Sequence, residues 1–380
     1  MGGVFHGYRD ISGVLNPHLH KYYIQRLSQT IDLYPRRSKN SPGRERIDFK
    51  RSKNVGNSIM NIVEVESLLS DSPVSLLATP PAIDPRLAEE ENESNELRPW
   101  LPARNTRWAT GLDWSSAIWL GVIHLGAVAA LFFFTWKALG LFLLLSWLTG
   151  GLGVCLGYHR LLTHASFKTF PWMRRLLALL GSLSGEGPPI TWVAVHRLHH
   201  RHSDAEGDPH SPQDGGWWSH ILWLFPRPRN PDWRQMRDRY GKDLLKDPFM
   251  RRLDKTFILW HFALGSLLLA AGWRFWDLYT GISLLTWGSF LRAAWVMHVT
   301  WCVNSASHLW GYRNYETSDN SRNLWWVGLL AYGEGWHNNH HAFPGRARHG
   351  HRWWEIDLTY ATICLLEKCG LVWNVLRGKK

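Results

Sequence analysis

Apolar residues in this chain gather into four long runs, from about Ser116 to Trp136, Ala138 to Cys155, Phe257 to Trp273 and Tyr279 to Val303, with charged stretches between them. Each run approaches the roughly 20 residues that a helix needs to cross hydrocarbon. The links within each pair are very short, Lys137 in the first and Arg274 to Leu278 in the second. The pattern therefore predicts two helical hairpins, four transmembrane helices in all. The N-terminal tail, the segment from His159 to Asp254 and the C-terminal part are rich in Lys and Arg, and the positive-inside bias places them on the cytoplasmic side, or the stromal side of a plastid. Two outer turns of a few residues leave no room for a catalytic domain outside. The expected fold class is an all-α integral membrane protein, four spans carrying a cytoplasmic helical cap.

Histidines supply the candidate chemistry. His159 and His164 stand in GYHRLLTH, His196, His199 and His200 in HRLHH, His308 in NSASH, and His337, His340 and His341 in HNNHH. All nine fall on the cap side of the predicted spans. Successive residues of an α-helix turn by about 100°, so each HxxHH triplet projects from one face, whereas His159 and His164 would lie about 140° apart on an uninterrupted helix. That pair serves two different metals, or the helix ends between its members. Nine ligands exceed the need of one four-coordinate ion and suit two metals with open positions. Imidazole suits Fe, Zn, Cu and Ni alike, so ligand type alone does not select iron. Asp204, Asp208 and Glu334 lie close to these strings and are candidates to orient metal-bound imidazoles, solvated loop carboxylates being the plainer alternative. The isolated His124, His261 and His298, inside the apolar runs, read as satisfied packing residues.

At 380 residues, core size is not limiting. A net charge of +12 raises nucleic acid as a partner, but the basic residues flank apolar spans and accompany no nucleic-acid fold signature, so none is expected. Anionic lipid headgroups are the expected counterpart. The 25 Trp fit a membrane interface, with Trp217-Trp218 and Trp353-Trp354 as anchors or cap packing. Four cysteines form no CxxC pair, which argues against a disulfide framework or a cysteine metal site. Residues 1–105, basic at first and acidic later, show no sustained apolar period and read as a weakly ordered extension, a transit peptide or an extended start. The catalytic domain is expected over 106–380.

The strings GYHRLLTHASF, WVAVHRLHHRHSDAEGDPHSP, WWSHILW, NSASHLWG and GEGWHNNHHAFP, in this order, resemble the membrane fatty-acyl desaturases of the delta-9 type, nearest to cyanobacterial, bacterial and plastid acyl-lipid members, over about residues 110 to 370. The resemblance implies a mushroom-shaped four-span fold and a diiron centre. It places His159, His164, His196, His199, His200, His308, His337, His340 and His341 as ligands, with Asn304 touching the metal through water. It implies a reaction in which O2 and two electrons remove two hydrogens from adjacent methylenes, leaving a cis double bond. Trp192 and Trp301 match tunnel-wall positions, Thr300 less closely.

The same resemblance implies a separate electron donor, ferredoxin or cytochrome b5, since no HPGG haem motif is present. Ala194-Val195 stand where acyl-CoA members carry an Arg-Asp pair, which favours a lipid-linked acyl group over acyl-CoA, with Arg227 and Arg229 left to meet an anionic headgroup. The bacterial inner membrane is the first expected location, a plastid or the endoplasmic reticulum the next. A membrane diiron hydroxylase of lipid or alkane is the nearest rival and a metal transporter a distant one. Arg292, inside the fourth run, is costly unless it faces protein, water or the interface.

Overall fold

The computed structural model describes residues 33–38, 46–51, 108–228 and 230–377. The chain divides into two units, Met1–Pro85 and Arg86–Lys380. Within the first, strands Leu33–Ser38 and Arg46–Arg51 pair antiparallel, Leu33 opposite Arg51. Apart from these strands, the expected extension over 1–105 lies outside the described residues.

The second unit is mostly helical. Three of its helices are long and apolar enough to cross a membrane, Trp114–Phe132, Trp136–Thr163 and Phe257–Phe275. Asp113 starts the first by accepting from the Ser115 N–H at 3.1 Å, which satisfies one of the orphan donors of a helix start. Only Leu120 and Ile123 of its α-helical part are buried, while Ile118, Leu125 and Leu131 point outward, as lipid-facing side chains would.

The first link falls at 133–135, not at Lys137. Thr135 takes an extended conformation and its hydroxyl accepts from Ala138 N–H at 3.1 Å, so the second helix begins at Trp136. Lys137 sits within that helix, with its ammonium 5.3 Å from the Trp276 ring. This helix also runs past the end of the apolar stretch at Cys155, as far as Thr163, so one rigid element carries His159 out of the apolar layer.

The fourth run is an unbroken helical path through Leu278–Leu285, Thr286–Leu291 and Arg292–Asn304, started by Asp277. It folds back on the third helix where Gly272 meets Gly281, and a Cβ on Gly272 would stand 2.4 Å from the Gly281 Cα. Small residues permit such backbone approach between apolar helices.

Arg292 is fully buried on this path. Its guanidinium donates to the carbonyls of Gly288 and Leu183 and to the Thr149 hydroxyl. Leu183 is the C-cap of helix Pro171–Ser182, so the cation sits at the negative end of a helix dipole. The arginine thus faces protein and joins three elements.

Shorter helices cover one end of these four. Pro171–Ser182 packs on the second long helix at a glycine contact, where a Cβ on Gly153 would stand 2.5 Å from Gly181 N. Pro189–His202 has prolines ahead of and at its first position, where the missing N–H costs nothing. Among the described residues of this unit, named strands are limited to Lys168–Thr169 paired with Val372–Trp373. Trp217, Trp353 and Trp354 are exposed, as interface anchors would be, whereas Trp218 is packed inside.

Candidate metal centre

The nine histidines come together as two buried groups. His159, His164, His196, His200 and His340 form one, and His199, His308, His337 and His341 the other, with the potential ligand atoms of each group within 4.8 Å of one another. In the first, His340 Nε2 lies 3.1 Å from His159 Nε2 and 2.9 Å from His200 Nε2. His196 Nε2 is 3.1 Å from His200 Nε2, and the buried His164 Nε2 has no hydrogen-bond partner.

His159 and His164 belong to the same group, so the two-metal alternative for this pair does not hold. The helix does end between them, at Thr163, and its last turns are π-wound. His164 N–H donates to the His159 carbonyl at 3.1 Å, an i→i+5 bond that replaces the α-helical register on which the 140° estimate rested.

Each HxxHH string divides its members. His196 and His200 join the first group while His199 turns to the second; His337 and His341 join the second while His340 turns to the first. Two helices facing each other thus exchange one ligand apiece. The sequence arithmetic, which put each triplet on one face, is correct about the face and silent about this division, because a face about 100° wide spans both groups.

Carboxylates fix the ring orientations. His159 Nδ1 lies 2.8 Å from Glu334 Oε2 as an ion-pair contact, while His199 Nδ1–H donates to Asp208 at 3.0 Å, His308 to Asp204 at 3.0 Å and His341 to Asp319 at 2.5 Å. In these three donors the hydrogen resides on Nδ1 and the Nε2 lone pair points inward. Burial opposes charge on Glu334, but Arg160, His159 and His349 outweigh it and hold its carboxyl well below the usual range. Burial opposes charge on Asp208 and Asp319 too; His199 and His341 hold these carboxyls below the usual range. Burial, then neighbouring rings, keeps His196, His200, His337 and His340 neutral well below the ordinary imidazole pKa.

The ring nitrogens within each group face one another at about 3 Å, and these contacts outnumber the hydrogens that can serve them. His340 Nε2, facing two ring nitrogens, can donate to only one of them. A cation in each group would satisfy every inward lone pair, and imidazole is a suitable donor for a transition metal. The residues present fit two such ions.

Two cavities meet beside these groups. The larger, about 420 Å³, is lined by Trp119, Glu186, Trp192, Thr300, Trp301 and Asn304, with Asp113, Pro226 and Pro228 also on its walls. The smaller, about 40 Å³, is lined by Gly150, Cys155, Val296 and Tyr332 and shares Trp192, His196, Thr300 and Asn304 with the first. Trp192, Trp301 and Asn304 all line the larger cavity. Arg227 is exposed and stands in sequence between Pro226 and Pro228, which line the larger cavity, without lining it itself; Arg229 lies outside the described residues.

Sequence reasoning missed several residues. Asp319 stands midway between His308 and His337 with no nearby motif to mark it. His349 shares Glu334 with His159, at 2.9 Å, and His210 stacks 4.3 Å from His199. Glu186 accepts from Trp192 Nε1 at 2.9 Å and from the Thr300 hydroxyl at 2.7 Å, and burial pushes its carboxyl up to about 7. His124 and His298 are satisfied as expected, joined at 3.0 Å, with His298 bonded onward to His220 at 3.0 Å. His261 meets the Ser182 carbonyl.

Helices long and apolar enough to cross a membrane, ending in two buried histidine groups that fit metal ions beside a largely apolar cavity, are the features of a membrane protein with a metal site. A model of the fatty acid desaturase family matches residues 134–363. The chain is 48% identical over 272 residues to the sn-1 stearoyl-lipid 9-desaturase of Anabaena variabilis, which covers 71% of this chain and 96% of the relative. It is 47% identical to the sn-2 palmitoyl-lipid 9-desaturase of Nostoc, covering 70% and 90%. It is 43% identical to the chloroplastic palmitoyl-monogalactosyldiacylglycerol delta-7 desaturase of Arabidopsis thaliana, covering 67% and 66%. The chain belongs to the fatty acid desaturase family, and it is an oxygen-dependent oxidoreductase of the membrane.

Proposed function

We propose that this enzyme places a cis double bond at the delta-9 position of a saturated acyl chain carried on a membrane lipid. The observation that carries this reading is the meeting of the two cavities at Trp192, His196, Thr300 and Asn304, directly beside the histidine groups. An unactivated methylene offers no acidic proton, and all methylenes of a chain are chemically alike, so position against the site is what selects the carbon.

His159, His164, His196, His200 and His340 would hold one iron and His199, His308, His337 and His341 the other, with Asn304 reaching the second through water. The irons would supply the redox chemistry with O2 by which two hydrogens leave adjacent carbons. Glu334, Asp204, Asp208 and Asp319 keep the rings aimed. Trp192 and Thr300, both tied to Glu186, set the wall past which the chain must bend, and the apolar lining excludes water. The acyl chain would enter by the larger cavity, its headgroup near Arg227, and its methyl end would occupy the smaller.

The fourth helical path would complete two hairpins, with the histidine groups on the cytoplasmic or stromal face. Electrons would come from a separate one-electron carrier, ferredoxin or cytochrome b5. Relatives named for lipid-linked substrates favour that class over acyl-CoA.

Expression in a host rich in saturated lipid, followed by double-bond mapping, tests the reading. New 9-monoenes on intact glycerolipid are expected, and none from His340→Ala. Hydroxy acids without monoenes would transfer the enzyme to the hydroxylases.

A further inference from the structure

The orienting carboxylates are shared unequally. Three of the four rings in the His199, His308, His337 and His341 group donate to a carboxylate: His199 to Asp208, His308 to Asp204 and His341 to Asp319. Among the described residues, no lysine or arginine pairs with any of these three. In the five-histidine group the matching contact is His159 with Glu334, and the charge of Glu334 is met by Arg160 at 3.0 Å, itself bonded to Asp357 at 2.9 Å. Counting these groups alone, the four-histidine position faces a charge of about −3 and the five-histidine position about −1.

A carboxylate on Nδ1–H makes the opposite nitrogen a stronger donor, and nearby negative charge favours the more highly charged ion. We propose that the two metal positions are electronically unlike, and that when a one-electron donor half-reduces the pair, the ferric ion is the one held by the four-histidine group. Asp204, Asp208 and Asp319 are then positioning residues for that ion and Glu334 for its neighbour. This rests on the nine histidines holding two metals.

The test uses the full chain in detergent, loaded with iron-57 and reduced by one electron per pair with dithionite. Mössbauer spectra should resolve separate ferric and ferrous doublets, the ferric one altered by Asp319→Asn or Asp204→Asn and the ferrous one by Glu334→Gln. A single averaged doublet, or a ferric signal that answers to Glu334→Gln instead, overturns the proposal. Cobalt(II) titration of the metal-free chain gives a second readout for variants that load iron poorly. Each aspartate change should weaken one of two binding steps about 10- to 100-fold and Glu334→Gln the other, while Asp319→Glu, which keeps the charge, should restore the lost step. Equal weakening of both steps by every variant also overturns it. A chain that takes up neither iron nor cobalt removes the metal-centre reading itself.

Discussion

His159 and His164 stand five residues apart and still meet, their ring centroids 4.8 Å apart and their planes at 82°. The π-wound end of the second long helix makes this possible, since an α-helical register would turn one ring away. Such winding is uncommon and tends to occur at functional sites. Here it places both rings of one string in a single histidine group, leaving the two HxxHH helices to distribute the remainder.

That distribution predicts that neighbouring residues serve different metals. His340→Ala and His341→Ala should each abolish desaturation while leaving membrane insertion intact. Each should lower bound iron from about two to about one per chain, since a tetrahedral or larger site loses one of its few ligands. The double variant should hold almost none. Metal analysis of the purified proteins decides, and two single variants that emptied the same position would count against the grouping.

The apolar runs located the long helices, because hydropathy is a local property of the chain, but not the extension of the second from Cys155 to Thr163, where the helix leaves the apolar stretch. Their caps were less legible: Thr135, rather than the charged Lys137, breaks the first hairpin. The nine histidines carried their own signal through spacing. Asp319 and Glu186 carried none, for each acts on a partner brought near only by tertiary packing, His341 in one case and Trp192 with Thr300 in the other. The division of each triplet between two groups was equally hidden, since it depends on how two helices face each other.

Gly150 lines the smaller cavity, and a Cβ there would stand 3.3 Å from the Tyr332 ring and 3.4 Å from Val296. Gly150→Leu should fill the space proposed for the methyl end and move the preference to shorter acyl chains. Each methylene excluded is worth about 0.8 kcal/mol, roughly fourfold in relative rate. Competition between acyl lengths in an expressing host would measure it. Unchanged length selection would place the methyl end elsewhere.

Glu186 holds Trp192 and Thr300 with its two oxygens. Glu186→Ala should free both, loosening the wall at the bend, so that double bonds scatter to adjacent carbons and the rate falls about tenfold, the cost of roughly one charge-assisted hydrogen bond. Glu186→Gln can still accept from the indole and donate to the hydroxyl, and should keep the wild-type position. Positional analysis of the monoenes from both variants separates a wall-shaping role from a general loss of folding.

Burial holds His210 down to about 3, and His341 and His349 to about 4. An unfolded histidine titrates near 6.5, so between that pH and about 4 the unfolded chain binds protons that the native chain refuses. Stability therefore rises with pH across this window and is lost on acidification. The depressed carboxyls of Asp208, Asp319 and Glu334 act in the same direction but lower, since their contribution is present above the ordinary carboxylate range and is lost as pH falls through their native values. Metal-free protein in detergent should accordingly lose thermal stability steadily from pH 7 to pH 4, then more steeply. Bound metal should shift the early part of the loss to lower pH, because coordinated imidazole must first give up its ion before taking a proton. A melting midpoint that stayed level between pH 7 and 4.5 would mean that these rings take up protons in the native chain as readily as in the unfolded one, and that burial does not hold them neutral.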